Sequence, residues 1–73
     1  MTKGTAIKVC DMQLGERYSF SPLLEIQNDF IVVKIDKHGF HLTMPRNTPG
    51  LLWLKDKTLV YTNPMTELEK ALL

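Results

Sequence analysis

Residues 30–45 read FIVVKIDKHGFHLTMP, and the reading of this stretch decides the fold. Phe30 to Ile35 is β-branched with no competing helix signal, so it predicts a strand. Asp36-Lys37-His38-Gly39 follows, with Asp at the first and Gly at the fourth position of a tight turn. Phe40 to Met44 then resumes the alternation of a second strand. Parity sets the register. With Asp36 to Gly39 as a four-residue loop, Ile35 faces Phe40, Val33 faces Leu42 and Ile31 faces Met44, and all six apolar side chains share one face. A loop shorter by one residue would set Lys34 against Leu42 and scatter the apolar set. The longer loop is the expected one.

Working toward the N-terminus, Thr5 to Met12 alternates weakly, with Ile7 and Val9 on one side and Lys8 and Cys10 on the other, which predicts a strand. Gly15 suggests a turn, and Arg17-Tyr18-Ser19-Phe20 a further strand, interrupted at Pro22 because proline cannot donate to a ladder. Leu23 to Gln27 fits either a short strand or a single helical turn, and Gln27-Asn28-Asp29 is turn chemistry. Met1 to Gly4 reads as a flexible leader.

Working toward the C-terminus, Pro45 to Gly50 is a loop, with two prolines, an asparagine and a glycine. Leu51 to Thr62 predicts a second hairpin turning at Asp56-Lys57, with Leu54 opposite Leu59 and Leu52 opposite Tyr61. Trp53 and Val60 then occupy the other face, so this hairpin is apolar on both sides. Asn63 as N-cap and Pro64 at the first helical position predict a helix over residues 64–72. Glu67 early and Lys70 late agree with its dipole, and Met65, Leu68 and Leu72, with Ala71, form its apolar stripe. A helix this short is marginal alone and must dock.

These elements predict a mostly β fold with one C-terminal helix. It would be a small bent antiparallel sheet, or an SH3-like or OB-like partly open barrel, in one domain over residues 5–73. Length limits the core, since a chain of 73 residues buries only about 60% of the surface it exposes unfolded. The single cysteine, Cys10, allows no internal disulfide. No apolar run reaches the length of a membrane span, and the N-terminus has no apolar signal-peptide core, so a reducing, cytoplasmic setting is expected. Nine Lys and Arg against eight Asp and Glu give a net charge of +1, which lends no support to phosphate neutralisation.

Four site chemistries can be weighed on this frame. His38 and His41 lie close in sequence, but zinc needs three or four converging ligands and only Cys10 and Asp36 could assist, so no metal or other cofactor is expected. Cys10 with a histidine could suggest a nucleophile and base, yet there is no glycine-rich oxyanion loop, no P-loop and no dinucleotide or zinc-protease motif. The chain is therefore expected not to be an enzyme. A nucleic-acid surface would draw on Lys34, Lys37, His38, His41, Arg46, Lys55 and Lys57, with Trp53 for stacking. The plainer reading of the same lysines is that they keep hairpin tips soluble. A protein interface would use Leu51, Trp53 and Val60, the apolar face of the second hairpin that one helix cannot cover together with the other. The expected function is a non-catalytic binding module, a small regulator or inhibitor that docks on a protein partner or self-associates. The alternative is a small β-barrel that binds RNA or DNA weakly.

Overall fold

A computed structural model describes residues 3–55 and 57–72. Its strands are β1 (Ala6–Lys8), β2 (Arg17–Ser19), β3 (Asp29–Ile35), β4 (His41–Pro45), β5 (Leu52–Leu54) and β6 (Leu59–Thr62), followed by a short helix, α1 (Glu67–Ala71). All six strands form one open antiparallel sheet in the order β1-β6-β2-β3-β4-β5. No helix among the described residues is long and apolar enough to cross a membrane.

The β3–β4 hairpin forms where the turn chemistry places it. Asp36 N–H donates to the Phe40 carbonyl at 2.9 Å, and the Asp36 carboxylate accepts the backbone N–H groups of His38 at 2.7 Å and Phe40 at 3.1 Å. Gly39 takes a positive φ of 87° there, a conformation that suits glycine. Ile31 pairs with Met44 as expected, but the ladder then breaks at Val33, and Lys34 faces Leu42 while Ile35 faces His41. This β-bulge replaces the expected Val33–Leu42 and Ile35–Phe40 pairs, since an extra residue in one strand shifts everything beyond it.

The core lies on the opposite face from the expected one. Val9, Met12, Tyr18, Phe30, Val32 and Val60 form the buried cluster, with Ile7 and Leu54 packed against it. FIVV is apolar at every position, so alternation alone cannot choose the inner face. The aromatic rings choose it: Tyr18 pairs with Phe30 across the β2–β3 ladder, and Phe20 and Tyr18 lie 4.5 Å and 6.2 Å from the Phe30 ring centre. Phe30 and Val32 thus turn inward, while Val33 and Met44 turn out.

The second hairpin does not exist. Strand β5 pairs only with β4, whereas β6 inserts between β1 and β2, pairing Ile7 with Val60 and Ser19 with Tyr61. Residue 56, half of the expected turn, lies outside the described residues. Val60 is fully buried rather than outward-facing, whereas Leu52 and Leu59 are exposed. The single-sequence pattern of two adjacent apolar runs suits a hairpin equally well, but the fold sends the second run to the far side of the sheet.

Both chain ends also depart from expectation. Half of the expected leader, Met1 and Thr2, lies outside the described residues, while Lys3 bridges Leu23 and Gly4 N–H donates to the Pro22 carbonyl at 2.9 Å. Strand β1 stops at Lys8, and Val9–Asp11 forms a turn of 3-10 helix. The C-terminal helix covers residues 67–71, not 64–72, because Thr66 takes over as N-cap in a capping box with Glu69. Met65 is buried before the helix begins, while Leu68 and Leu72 are 72% and 79% exposed, so the helix docks no apolar stripe.

Two substitutions test this account. Phe30→Ala is expected to cost about 3–5 kcal/mol, and Leu68→Ala to stay within about 0.5 kcal/mol, in denaturant unfolding. A large loss at Leu68 would mean that the helix packs on the sheet. A Cβ at Gly4 would lie 2.5 Å from the Thr62 carbonyl oxygen and 2.9 Å from Tyr61 Cβ, so Gly4→Ala is expected to destabilise measurably in the same assay.

Candidate functional site

The outer face of β3, β4 and β5 carries apolar side chains that the core does not bury. Antiparallel pairing puts partners on one side of a sheet, so Ile31 with Met44, and Lys34 with Leu42 and Trp53, form two adjacent rows. Val33, Met44 and Trp53 are each between 41% and 47% exposed. Leu51, just before β5, is exposed as well. The Trp53 ring meets the Phe40 ring edge-on, with centroids 6.4 Å apart, and Lys55 Nζ lies 5.7 Å from the Phe40 ring centre. Contiguous exposed apolar surface of this kind marks interaction sites more often than scattered single residues do.

The sequence-derived candidates therefore divide. Trp53 lies on this face and Leu51 is exposed just before β5, but Val60 belongs to the core. Lys34, Lys37, Lys55 and Lys57 are exposed. His41 is not: it is 3% exposed on the inner face, and its Nδ1–H donates to the Gly39 carbonyl at 3.2 Å. The bulge at Val33 puts it there, by setting His41 opposite Ile35 and Leu54. It is thus removed from any nucleic-acid surface, and of the two imidazoles only that of His38 is exposed. Arg46 is half-exposed but committed. Its Nε lies 3.0 Å from the buried Asp29 carboxylate, and its backbone N–H donates to the Asp29 carbonyl. An open cleft of about 570 Å³ runs along the loop from Met44 to Leu51 beside it, and Arg46 is its only charged residue.

Among the described residues no group of three or more His, Cys, Asp or Glu side chains converges as metal ligands would. Cys10 is exposed on its 3-10 turn, rather than packed. The Asp36 carboxyl is lowered: desolvation acts to raise it, but the backbone N–H groups of His38 and Phe40, with nearby positive charge, prevail. This carboxylate closes a hairpin loop.

A polar cluster that sequence reasoning missed lies on the same outer face, at β2. Arg17 Nε donates to the Asn63 carbonyl at 2.9 Å. Its Nη2 reaches Asn63 Oδ1 and the Pro64 carbonyl, each at 3.1 Å, and both terminal nitrogens engage the Glu69 carboxylate. Asn63 Nδ2 in turn donates to Ser19 Oγ at 2.9 Å. Asn63, expected to cap the helix, instead ties the C-terminal segment to β2. Lys70 and Glu16 add a looser ion pair at 3.9 Å. One signal was available in the sequence: Thr66 and Glu69 have the spacing of a capping box. Nothing in it points to Arg17 as their partner.

Comparison with protein-family models, with curated proteins and with solved structures finds no match.

The Arg17 cluster has a pH signature. The Thr66 backbone N–H, then the Arg17 guanidinium, hold the Glu69 carboxyl down to about 2, from an ordinary value of 4.5. A depressed carboxyl supports the fold above its unfolded value, and that support is lost as pH falls from 4.5 toward 2. The amide signals of residues 66–72 are expected to shift through that window in NMR, and in Glu69→Gln the transition should vanish. An unchanged profile in the variant would assign the transition elsewhere.

Proposed function

We propose that this chain is a non-catalytic binding module, a small regulator or inhibitor that docks on a protein partner, or on itself, through the outer face of β3–β5. The observation that carries the reading is Trp53. It is 46% exposed, flanked by Leu42 and Phe40, and remote in the sheet order from β2, where Arg17 holds the C-terminal segment. Tryptophan is the residue most enriched among the anchors of protein interfaces. The architecture that suits this role is an SH3-like partly open barrel. In its favour, β2 to β5 run as a meander, β6 returns beside β2, and Ile7 and Leu54, from the two edge strands, reach one core. An exposed free thiol at Cys10 fits a reducing, cytoplasmic setting.

A second reading has one observation behind it. Lys55 sits over Phe40 beside Trp53, and Lys34 and Lys37 are exposed at the same end of the sheet. Basic side chains among aromatics also suit single-stranded RNA or DNA. Binding of a random oligonucleotide that weakens steeply with salt would favour it.

Trp53→Ala tests the first reading. A half-exposed ring should cost about 1–2 kcal/mol on removal, leaving a folded protein by thermal melting, while association is lost by sedimentation and affinity capture. A loss of about 3–5 kcal/mol with association unchanged would make Trp53 a core residue and overturn the docking role.

A further inference from the structure

The two free edges of the sheet differ. At one edge, β1 holds a charged residue, Lys8, and after Val9, whose N–H still bonds the Thr58 carbonyl at 2.9 Å, the chain leaves the sheet in a 3-10 turn. The two edge strands are equally short, but a lysine within the strand and a bend out of line after it are how natural sheets blunt an edge. At the other, β5 is Leu52-Trp53-Leu54, with no charge and no proline. It has no strand on its second side among the described residues, and Leu52 and Trp53 are both nearly half exposed on opposite faces. An unblunted apolar edge of this kind is a template for another strand.

Charge selects what that strand can be. From Lys37 to Lys55 the chain holds no Asp or Glu at all, so β4, β5 and the loop between them are free of acid. Lys37, Arg46 and Lys55 are the charged residues of that stretch, and Lys34 adds another beside it on β3. A second copy of the chain, pairing β5 with β5, would bring one acid-free segment against another. Pairing with β1 would bring it against Lys3 and Lys8. Neither arrangement is complementary. A bare backbone edge with apolar side chains on both faces also offers more to an extended polypeptide than to a phosphate chain, whose binding rests on many cations.

We propose that β5 is a strand-addition site for an extended acidic segment of a partner protein, one that alternates carboxylates with apolar residues. Its backbone would pair with Leu52 to Leu54, its apolar side chains would extend the Leu52 and Leu54 face, and its carboxylates, on the Trp53 face, would meet Lys55 and, at that end of the sheet, Lys37. This rests on the docking reading above and names the partner's chemistry.

The test uses the full chain and a short peptide alternating Glu with Val. Trp53 is the only tryptophan, so its fluorescence reports binding directly. The expected results are a saturable shift in that signal and slowed hydrogen exchange at the amides of residues 52–54, with β1 unaffected. Lys37→Glu combined with Lys55→Glu should weaken binding about tenfold without changing the melting temperature. Equal binding of the Lys-for-Glu peptide, or of a peptide N-methylated along one edge, would overturn the proposal. So would a response to a random oligonucleotide alone. If the peptide fails but Trp53→Ala still abolishes self-association in sedimentation, the docking face stands and the acidic-strand assignment falls.

Discussion

The constraint on which the rest depends is the short link between β5 and β6. Leu54 ends one strand and Leu59 begins the other, yet the two strands are four places apart in the sheet order. Across a flat sheet that separation would be about 19 Å, at about 4.8 Å per strand. The five steps from Leu54 to Leu59 reach at most about 18 Å when fully extended. They are not fully extended, because Thr58 N–H donates back to the Lys55 carbonyl at 3.1 Å. The sheet must therefore curl. Curling brings Ile7 from one edge and Leu54 from the other onto the same buried cluster, which a chain this short needs if it is to have a core at all.

The curl also decides which residues are spent inside. The concave face is small, and it is filled by Phe30, Tyr18, Val32, Val60, Val9 and Met12. It admits two polar side chains, each satisfied close to home: Thr43 Oγ1 donates to the Leu52 carbonyl at 2.8 Å, and His41 to the Gly39 carbonyl. With those places taken, Val33, Met44 and Trp53 are left on the convex side. The exposed apolar face is thus a consequence of a small core rather than of a surplus of hydrophobic residues, for the composition is ordinary at 44% hydrophobic.

What the sequence disclosed follows from this division. Local chemistry was legible. The Asp36–Gly39 turn, the Phe30–Ile35 strand and the break that follows Pro45 all depend on neighbours within a few residues, whereas the outward Trp53 was inferred from a hairpin that does not form. Mostly β content with one C-terminal helix followed from the same signals. The inner face of β3 was not legible, because FIVV is apolar on both sides and the deciding contacts come from Tyr18 and Phe20. Nor was the place of Val60. Its strand looks like half of a hairpin, and only the long-range pairing with Ile7 reveals otherwise. His41 was misplaced by a single bulged residue, which no alternation pattern announces. The helix start was misread because Asn63-Pro64 is a good local N-terminus, but Asn63 is drawn away to Arg17 and Ser19.

The molecule therefore holds its two parts by different physics. The sheet rests on apolar burial around Phe30. The C-terminal segment rests on Arg17, whose guanidinium is largely enclosed and distributes its donors over Asn63, Pro64 and Glu69. These acceptors are not equivalent. The Asn63 and Pro64 carbonyls stay acceptors at any pH, whereas the Glu69 carboxylate holds only while charged. Protonating Glu69 also removes half of the capping box, because its carboxylate accepts the Thr66 N–H at 3.0 Å. The two losses coincide on one helix that buries no residue of its own. Acid should therefore release α1 while residues 63–64 stay pinned to β2. The β3–β5 face, served by neither group, should remain as it is.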